Sequence, residues 1–318
     1  MRHCRWHQAS RVLAFFCAFF CACWGALWGP AAQAQPAMAP GWMLQPLPAP
    51  GGAQLLALER APVLAPLRYR VIAIPGSGCA GMGTFAPRYF AGLQHAQLLV
   101  LHKPGVDPWA RTPAADCPPD FVQRDALSAW RAAAQQALTA WLAQQPALPT
   151  WLLGISEGAE LLADLAPQLP HLAGLVLIGA SGLDPQEAGA LQAARLGQQA
   201  AWQALARAQA GEAPDHTVVQ GRSLRYWRDL WQWRLAQPLR DGPWPLLQVW
   251  GGADALVPEA AYQRFAARTR QRSAPYCALR LAGADHGLQG PAPGQDGLPQ
   301  VWALLEQAAR TQGQIDCP

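Results

Sequence analysis

Three residue types, spaced far apart along the chain, could together break an acyl bond. Ser156 stands in Gly154-Ile155-Ser156-Glu157-Gly158, directly after an apolar run. A serine hydroxyl is a weak nucleophile unless a base takes its proton, an acid orients that base, and donors receive the oxyanion. His286, in Gly283-Ala284-Asp285-His286-Gly287, is the candidate base, and Asp254, in Gly251-Gly252-Ala253-Asp254, is the candidate acid. Asp184 is the rival acid, because it too follows an apolar run. Asp285 adjoins the histidine in sequence, is poorly placed to orient its ring, and reads as a group that fixes the loop. Taken singly, each residue has a plainer explanation: a chance glycine loop for Ser156, a helix cap for Asp254. Their joint occurrence, each at the end of an apolar run and in the order Ser, Asp, His, favours the catalytic reading.

Such residues need a rigid edge to stand on. Apolar runs at 69–74, 97–101, 151–155, 172–178, 246–250 and 278–281 read as strands, and 54–58 as an edge strand. Helical periodicity at 121–145, 157–165, 259–271 and 300–311 alternates with them. Fully apolar strands alternating with helices predict an α/β fold: a mostly parallel central sheet flanked by helices. In that fold, strand C-termini form the ligand edge. Glycines two residues before and after Ser156 keep strand and helix from clashing, and the helix N-terminus behind the hydroxyl favours negative charge. Residues 184–238 carry no convincing strand and predict an inserted helical cap. In its aromatic helix, Trp227, Leu230, Trp231 and Arg234 share a face, while Tyr226 and Trp233 point elsewhere. His102 and Lys103 end a strand on the ligand edge and read either as pocket-lining or as exposed loop residues, and His216 as solvent-facing. The expected organisation is residues 1–34 as a leader, 35–66 as an extended segment, 67–183 and 239–318 as the core, and 184–238 as the cap.

Together, Gly154-Ile155-Ser156-Glu157-Gly158, Gly252-Ala253-Asp254 and Ala284-Asp285-His286-Gly287 resemble the motifs of the α/β-hydrolase fold family. The resemblance runs from about Tyr69 onward. It implies a serine hydrolase that cleaves carboxylic esters through an acyl-enzyme and needs neither metal nor organic cofactor. One oxyanion N–H would come from the residue after the nucleophile, Glu157. The other would come from the turn Pro75-Gly76-Ser77-Gly78-Cys79, with Ser77 the first choice and Gly78 the second. The substrate would be a small-molecule ester or, in the alternative, a short peptide whose charged terminus Glu157 could hold. A non-catalytic binding protein on the same scaffold is the third reading. Nothing in the motifs sets the oligomeric state.

The chain has 318 residues, 51% hydrophobic and 14% charged, with a net charge of +4. That is enough apolar content for a large core. Lys103 is the only lysine and basic runs are absent, which argues against a nucleic-acid partner. Arg2, Arg5 and Arg11, the uncharged apolar stretch 12–28 and Ala32-Gln33-Ala34 predict a secretory leader cleaved after Ala34, rather than a retained membrane span. A secreted or periplasmic protein follows. Cys79, Cys117, Cys277 and Cys317 would then meet an oxidising compartment. Of the three possible pairings, Cys79–Cys117 and Cys277–Cys317 is favoured, because each bond could clip a loop or tail to a neighbouring strand. A metal site is disfavoured by the absence of C-x-x-C spacing.

Overall fold

The computed structural model describes residues 39–292, 295–311, 315 and 317. The leader predicted at 1–34 lies outside them. Eight strands form one sheet: β1 (Trp42–Pro48), β2 (Gln54–Arg60), β3 (Tyr69–Ile74), β4 (Ala96–Leu101), β5 (Thr150–Ile155), β6 (Leu172–Ile178), β9 (Leu246–Gly251) and β10 (Tyr276–Leu281). A separate two-stranded ribbon is made by β7 (Val218–Val219) and β8 (Arg222–Ser223). The order across the large sheet is β1-β2-β4-β3-β5-β6-β9-β10. From β4 to β10 all neighbours are parallel, while β1 and β2 add an antiparallel hairpin at one edge. The helices are α1 (Ala86–Tyr89), α2 (Pro119–Arg124), α3 (Leu127–Leu142), α4 (Leu162–Leu165), α5 (Pro185–Arg195), α6 (Gln199–Ala210), α7 (Leu224–Gln232), α8 (Ala236–Asp241), α9 (Glu259–Arg268) and α10 (Leu298–Arg310).

Successive strand residues point to opposite faces, and each face has its own core. Ile72, Ile74, Leu152 and Leu177 pack with Trp130, Leu138 and Trp141 of α3. Val71, Ala73, Leu153 and Val176 pack with Leu298, Trp302 and Leu305 of α10. Each large side chain so buried contributes roughly 1.5–3 kcal/mol, so the central strands form a stiff platform. The fold is the α/β sandwich that the apolar runs predict.

Several elements differ from expectation. The segment expected as a lead-in contains β1, and β2 is an inner strand hydrogen-bonded on both sides. Only Trp42 and Leu47 of β1 are buried, so the strand leaves no two-residue apolar period in the sequence. The helix expected over 121–145 breaks between α2 and α3, where Ala126 is extended at φ −161° and ψ 142°. The helix expected after Ser156 is a 3₁₀ segment, Ser156–Leu161, followed by the single turn α4. The N-terminus of a long α-helix therefore does not stand behind the hydroxyl. Pro167, which lacks an N–H, closes this region with a further 3₁₀ turn. Between β6 and β9 the chain is helical as expected, apart from the ribbon of β7 and β8, too short to leave a periodic signal.

Both cysteine bonds form as the favoured pairing has them. Cys79 bonds Cys117 with Cα atoms 5.7 Å apart, and Cys277 of β10 bonds Cys317 at 5.6 Å. No helix among the described residues is long and apolar enough to cross a membrane.

Candidate active site

β5 delivers Ser156 at the carboxyl edge of the sheet. Its backbone is held at φ 52°, the left-handed region that a β-carbon disfavours. The flanking glycines make this turn possible. A β-carbon on Gly154 would lie 2.3 Å from Ala159 Cα, and one on Gly158 would lie 2.1 Å from the Ile74 carbonyl oxygen. Both separations are far inside contact distance, so the elbow closes only with glycine at each place.

Two strands away, β9 ends at Gly251, where a β-carbon would sit 2.1 Å from the Ala284 carbonyl oxygen. That approach lets the loops after β9 and β10 lock together, with Ala253 N–H donating to Ala284 at 2.9 Å and Gly252 N–H to Leu281 at 2.8 Å. The lock sets Asp254 against His286. Asp254 Oδ2 accepts from His286 Nδ1 at 2.8 Å and from the Tyr262 hydroxyl at 2.9 Å. Its Oδ1 accepts from the N–H groups of Leu256 at 2.7 Å and Val257 at 2.9 Å. Burial pushes the Asp254 carboxyl up, but the His286 and backbone hydrogen bonds outweigh it and hold the group below its ordinary value. Burial and the Asp254 charge raise Tyr262, which keeps its phenol a donor.

His286 Nε2 is shielded and hydrogen-bonds to no group among the described residues. A β-carbon on Gly179, at the end of β6, would lie 3.1 Å from His286 Cε1, and Gly179 lines the same cavity as Ser156. The imidazole thus abuts the cavity wall with Nδ1 committed to Asp254. Ser156 Oγ and His286 Nε2 are not hydrogen-bonded to each other. A ring held this way can accept a proton only at Nε2.

The cavity encloses about 390 Å³. Ser77 and Glu157 border it together with Ser156, whereas Gly78, at φ 88°, turns toward Ala114. Of the two candidate donors on the turn after β3, Ser77 is the one at the cavity, and its N–H is engaged by no other group among the described residues. The Cys79–Cys117 bond anchors this turn to the following loop.

Asp184 does not meet the histidine. Its Oδ1 accepts from the N–H groups of Leu235 at 2.7 Å and Ala236 at 2.9 Å, and its Oδ2 lies 3.7 Å from Arg234. It caps the start of α8 instead, so Asp254 is the carboxylate on the ring. Asp285 Oδ1 accepts from Gly287 and Gln289 N–H at 2.9 and 2.8 Å, which fixes the loop as expected.

A second polar cluster lies on the other side of Ser156. Lys103 Nζ donates to Asp125 at 3.0 Å and to Glu157 at 2.9 Å, and sits 4.6 Å from the Trp130 ring centre. Arg222 pairs with the other oxygen of Asp125 and lies over the Tyr226 ring. The Tyr226 hydroxyl donates to Glu157 at 2.6 Å. Burial alone would raise the Glu157 carboxyl, yet Lys103, Arg222 and the Tyr226 hydrogen bond reverse the shift and hold it low. Both oxygens of its side chain are therefore engaged by the protein itself. Lys103 is 3% exposed and His102 1%, so neither is a loop residue at the surface. His102 Nδ1 donates to the Leu56 carbonyl at 3.1 Å and Nε2 accepts from Met82 N–H at 3.0 Å, which requires the neutral ring. Burial lowers its pKa to about 4.

Tyr226 and Trp233, expected to point away, face inward. Trp233 Nε1 donates to the Glu160 carbonyl at 2.8 Å. Trp227 and Leu230 do line the cavity, while Trp231 stacks on Trp202 with ring centres 4.7 Å apart. His216 is exposed, as expected. The Glu160 side chain borders the cavity, and its Oε2 is shielded without a partner among the described residues. Burial first, then the charges of Glu157 and Asp184, push this carboxyl well above its ordinary range. Tyr262, Asp125, Arg222 and Glu160 escaped sequence reasoning. Only Glu160 had a local signal, four residues beyond the serine. Among the described residues no three His, Cys, Asp or Glu side chains converge in a metal-binding arrangement.

No family model and no curated protein matches the sequence. Solved structures do match in fold. The esterase domain of a Rhodothermus marinus protein aligns over 85% of this chain and 98% of its own, with 19% identity and a TM-score of 0.53. A thermophilic esterase from Thermogutta terrifontis, bound to propionate, covers 88% and 97% with 18% identity and a TM-score of 0.54. A puromycin-hydrolyzing peptidase of Mycobacterium tuberculosis has a TM-score of 0.56 and 16% identity over 87% of this chain, which spans only 40% of that one. Strand order, the serine elbow after β5 and superpositions over 85–88% of the chain agree: this chain has the α/β-hydrolase fold.

Proposed function

We propose that the protein is a secreted serine hydrolase acting on carboxylic esters through an acyl-enzyme. One observation carries the reading: His286 has Nδ1 locked on a buried carboxylate and Nε2 unpaired, beside the cavity that Ser156 enters in a strained conformation. Ser156 Oγ attacks the ester carbonyl as His286 Nε2 takes its proton. The backbone N–H groups of Ser77 and Glu157 receive the oxyanion. His286 returns the proton to the departing alkoxide, then activates water to release the acid. Asp254 holds the tautomer and Tyr262 holds Asp254. The Glu157 side chain, through Lys103 and Tyr226, fixes the backbone that presents its own N–H.

Residues 184–238 serve in this reading as the roof of the site and 67–183 with 239–318 as its floor. The two disulfides suit an exported protein whose leader ends at Ala34. With both Glu157 oxygens engaged by Lys103 and Tyr226, a peptidase that grips a terminus at that residue is the less favoured reading. The test is labelling by a fluorophosphonate probe, followed by p-nitrophenyl esters of increasing acyl length. Modification confined to Ser156 supports the proposal. A folded protein left unlabelled, with no ester turnover, refutes it.

A further inference from the structure

Carboxylates around the cavity have hydrogen-bond or ion-pair partners among the described residues, with one exception. Lys103 and Arg222 balance Asp125 and Glu157. Asp184 has two backbone donors and Arg234. Glu160 stands apart: among the described residues no hydrogen bond or ion pair reaches its side chain, although Oε2 is shielded from solvent. A buried carboxyl without a partner is costly unless it is protonated or meets a cation. Nor does the fold need this one, because the structural tie at residue 160 runs through its backbone carbonyl to Trp233.

Resting on the hydrolase reading above, we propose that Glu160 is the ammonium-binding residue of the substrate cavity, and that the preferred substrates are esters carrying a protonated amine. Glu160 lies four residues beyond Ser156 on the same 3₁₀ segment and borders the same cavity, so one small molecule reaches both. The wall there is aromatic, with Trp202, Tyr226 and Trp227. Aromatic faces attract ammonium groups, and a primary ammonium brings the donors that Glu160 lacks. Apolar cavity walls complete a site for a short aminoacyl chain.

The test uses matched p-nitrophenyl esters, ω-amino alkanoates against unsubstituted alkanoates of equal length, on wild type and Glu160→Gln. At one chain length the amino ester should be preferred in kcat/KM by roughly ten- to a hundredfold, the range expected for a hydrogen-bonded charge. Glu160→Gln should abolish that ratio, whatever its effect on absolute rates. Absence of preference at every length, or equal losses for both esters in the variant, overturns the inference. A second readout needs no catalysis: calorimetric titration of Ser156→Ala with ethyl- to hexylammonium chloride, against the corresponding alcohols. Ammonium should bind at least about tenfold more tightly, and the added Glu160→Gln change should erase the difference. Equal binding of amine and alcohol refutes the site. Fluorophosphonate labelling without ammonium preference defeats only this inference. Ammonium binding through Glu160 without labelling defeats the hydrolase reading and leaves the site standing.

Discussion

Two hydrogen-bonded clusters flank Ser156, built from similar parts and finished differently. On one side Tyr262 and His286 both donate to Asp254, an arrangement that ends at a His286 nitrogen unpaired among the described residues, beside the cavity. On the other, Lys103, Asp125, Glu157, Arg222 and Tyr226 form a network in which two cations face two carboxylates. Both contain buried carboxylates held by several partners. An open chain can pass a proton to something outside itself. A matched network has nothing left to exchange, and its effect is to hold the serine turn, the break between α2 and α3, and the β8–α7 segment in one arrangement.

If the open chain is the chemical one, His286→Ala and Ser156→Ala should each lower ester kcat by about 10⁴-fold or more while the melting temperature barely moves. A comparable rate in either variant would erase the distinction. Asp254→Asn should cost about 10³–10⁴-fold in kcat by spoiling the ring tautomer, whereas Asp184→Ala should change kcat by less than about fivefold and instead cost about 1 kcal/mol as a lost helix cap. The matched network should show the reverse pattern. Lys103→Met leaves Asp125 and Glu157 without their shared cation and should destabilise the fold by about 3–5 kcal/mol in urea unfolding.

Next to that network, His102 offers a pH test. Its folded pKa, about 4, lies below the unfolded value near 6.5, so the unfolded chain binds the extra proton between the two. Stability should therefore drop by up to about 3 kcal/mol as pH falls from 6.5 to 4, and His102→Gln should flatten that slope in denaturant titrations across the range. Tyr262→Phe, which removes one donor from Asp254, should slow ester turnover about tenfold with KM little changed. A larger loss than that of Asp254→Asn would mean that the phenol, not the carboxylate, governs the ring.

Legibility in the sequence follows the same division. Ser156, Asp254 and His286 were readable because each follows an apolar strand and strand ends lie on one edge in a parallel sheet, whereas Tyr262, inside α9, was not. Asp254 and His286 thus meet for reasons of topology, with glycine motifs marking the turns. The matched network left no motif. Asp125 sits in what reads as mid-helix, Arg222 in a two-residue strand, and Lys103 at a strand end that could equally have been exposed. Glu157 read as an oxyanion donor whose side chain could hold a substrate terminus, and that side chain is instead bonded to partners 54 and 69 positions away. Helical periodicity assigned the inward face of α7 to Trp227 and Trp231, but Tyr226 was drawn in by Glu157 and Trp233 by a carbonyl beyond the helix end.

The amino-acid sequence determined the strand runs, the glycine-framed serine, the order of the three polar residues and the favoured cysteine pairing, because apolar period, backbone sterics and chain order are local properties. Tertiary structure alone decided which acid meets the imidazole, which charges cancel, and that Glu160 is left over. Charge compensation depends on distance in space and on the exclusion of water, and neither can be measured along a chain.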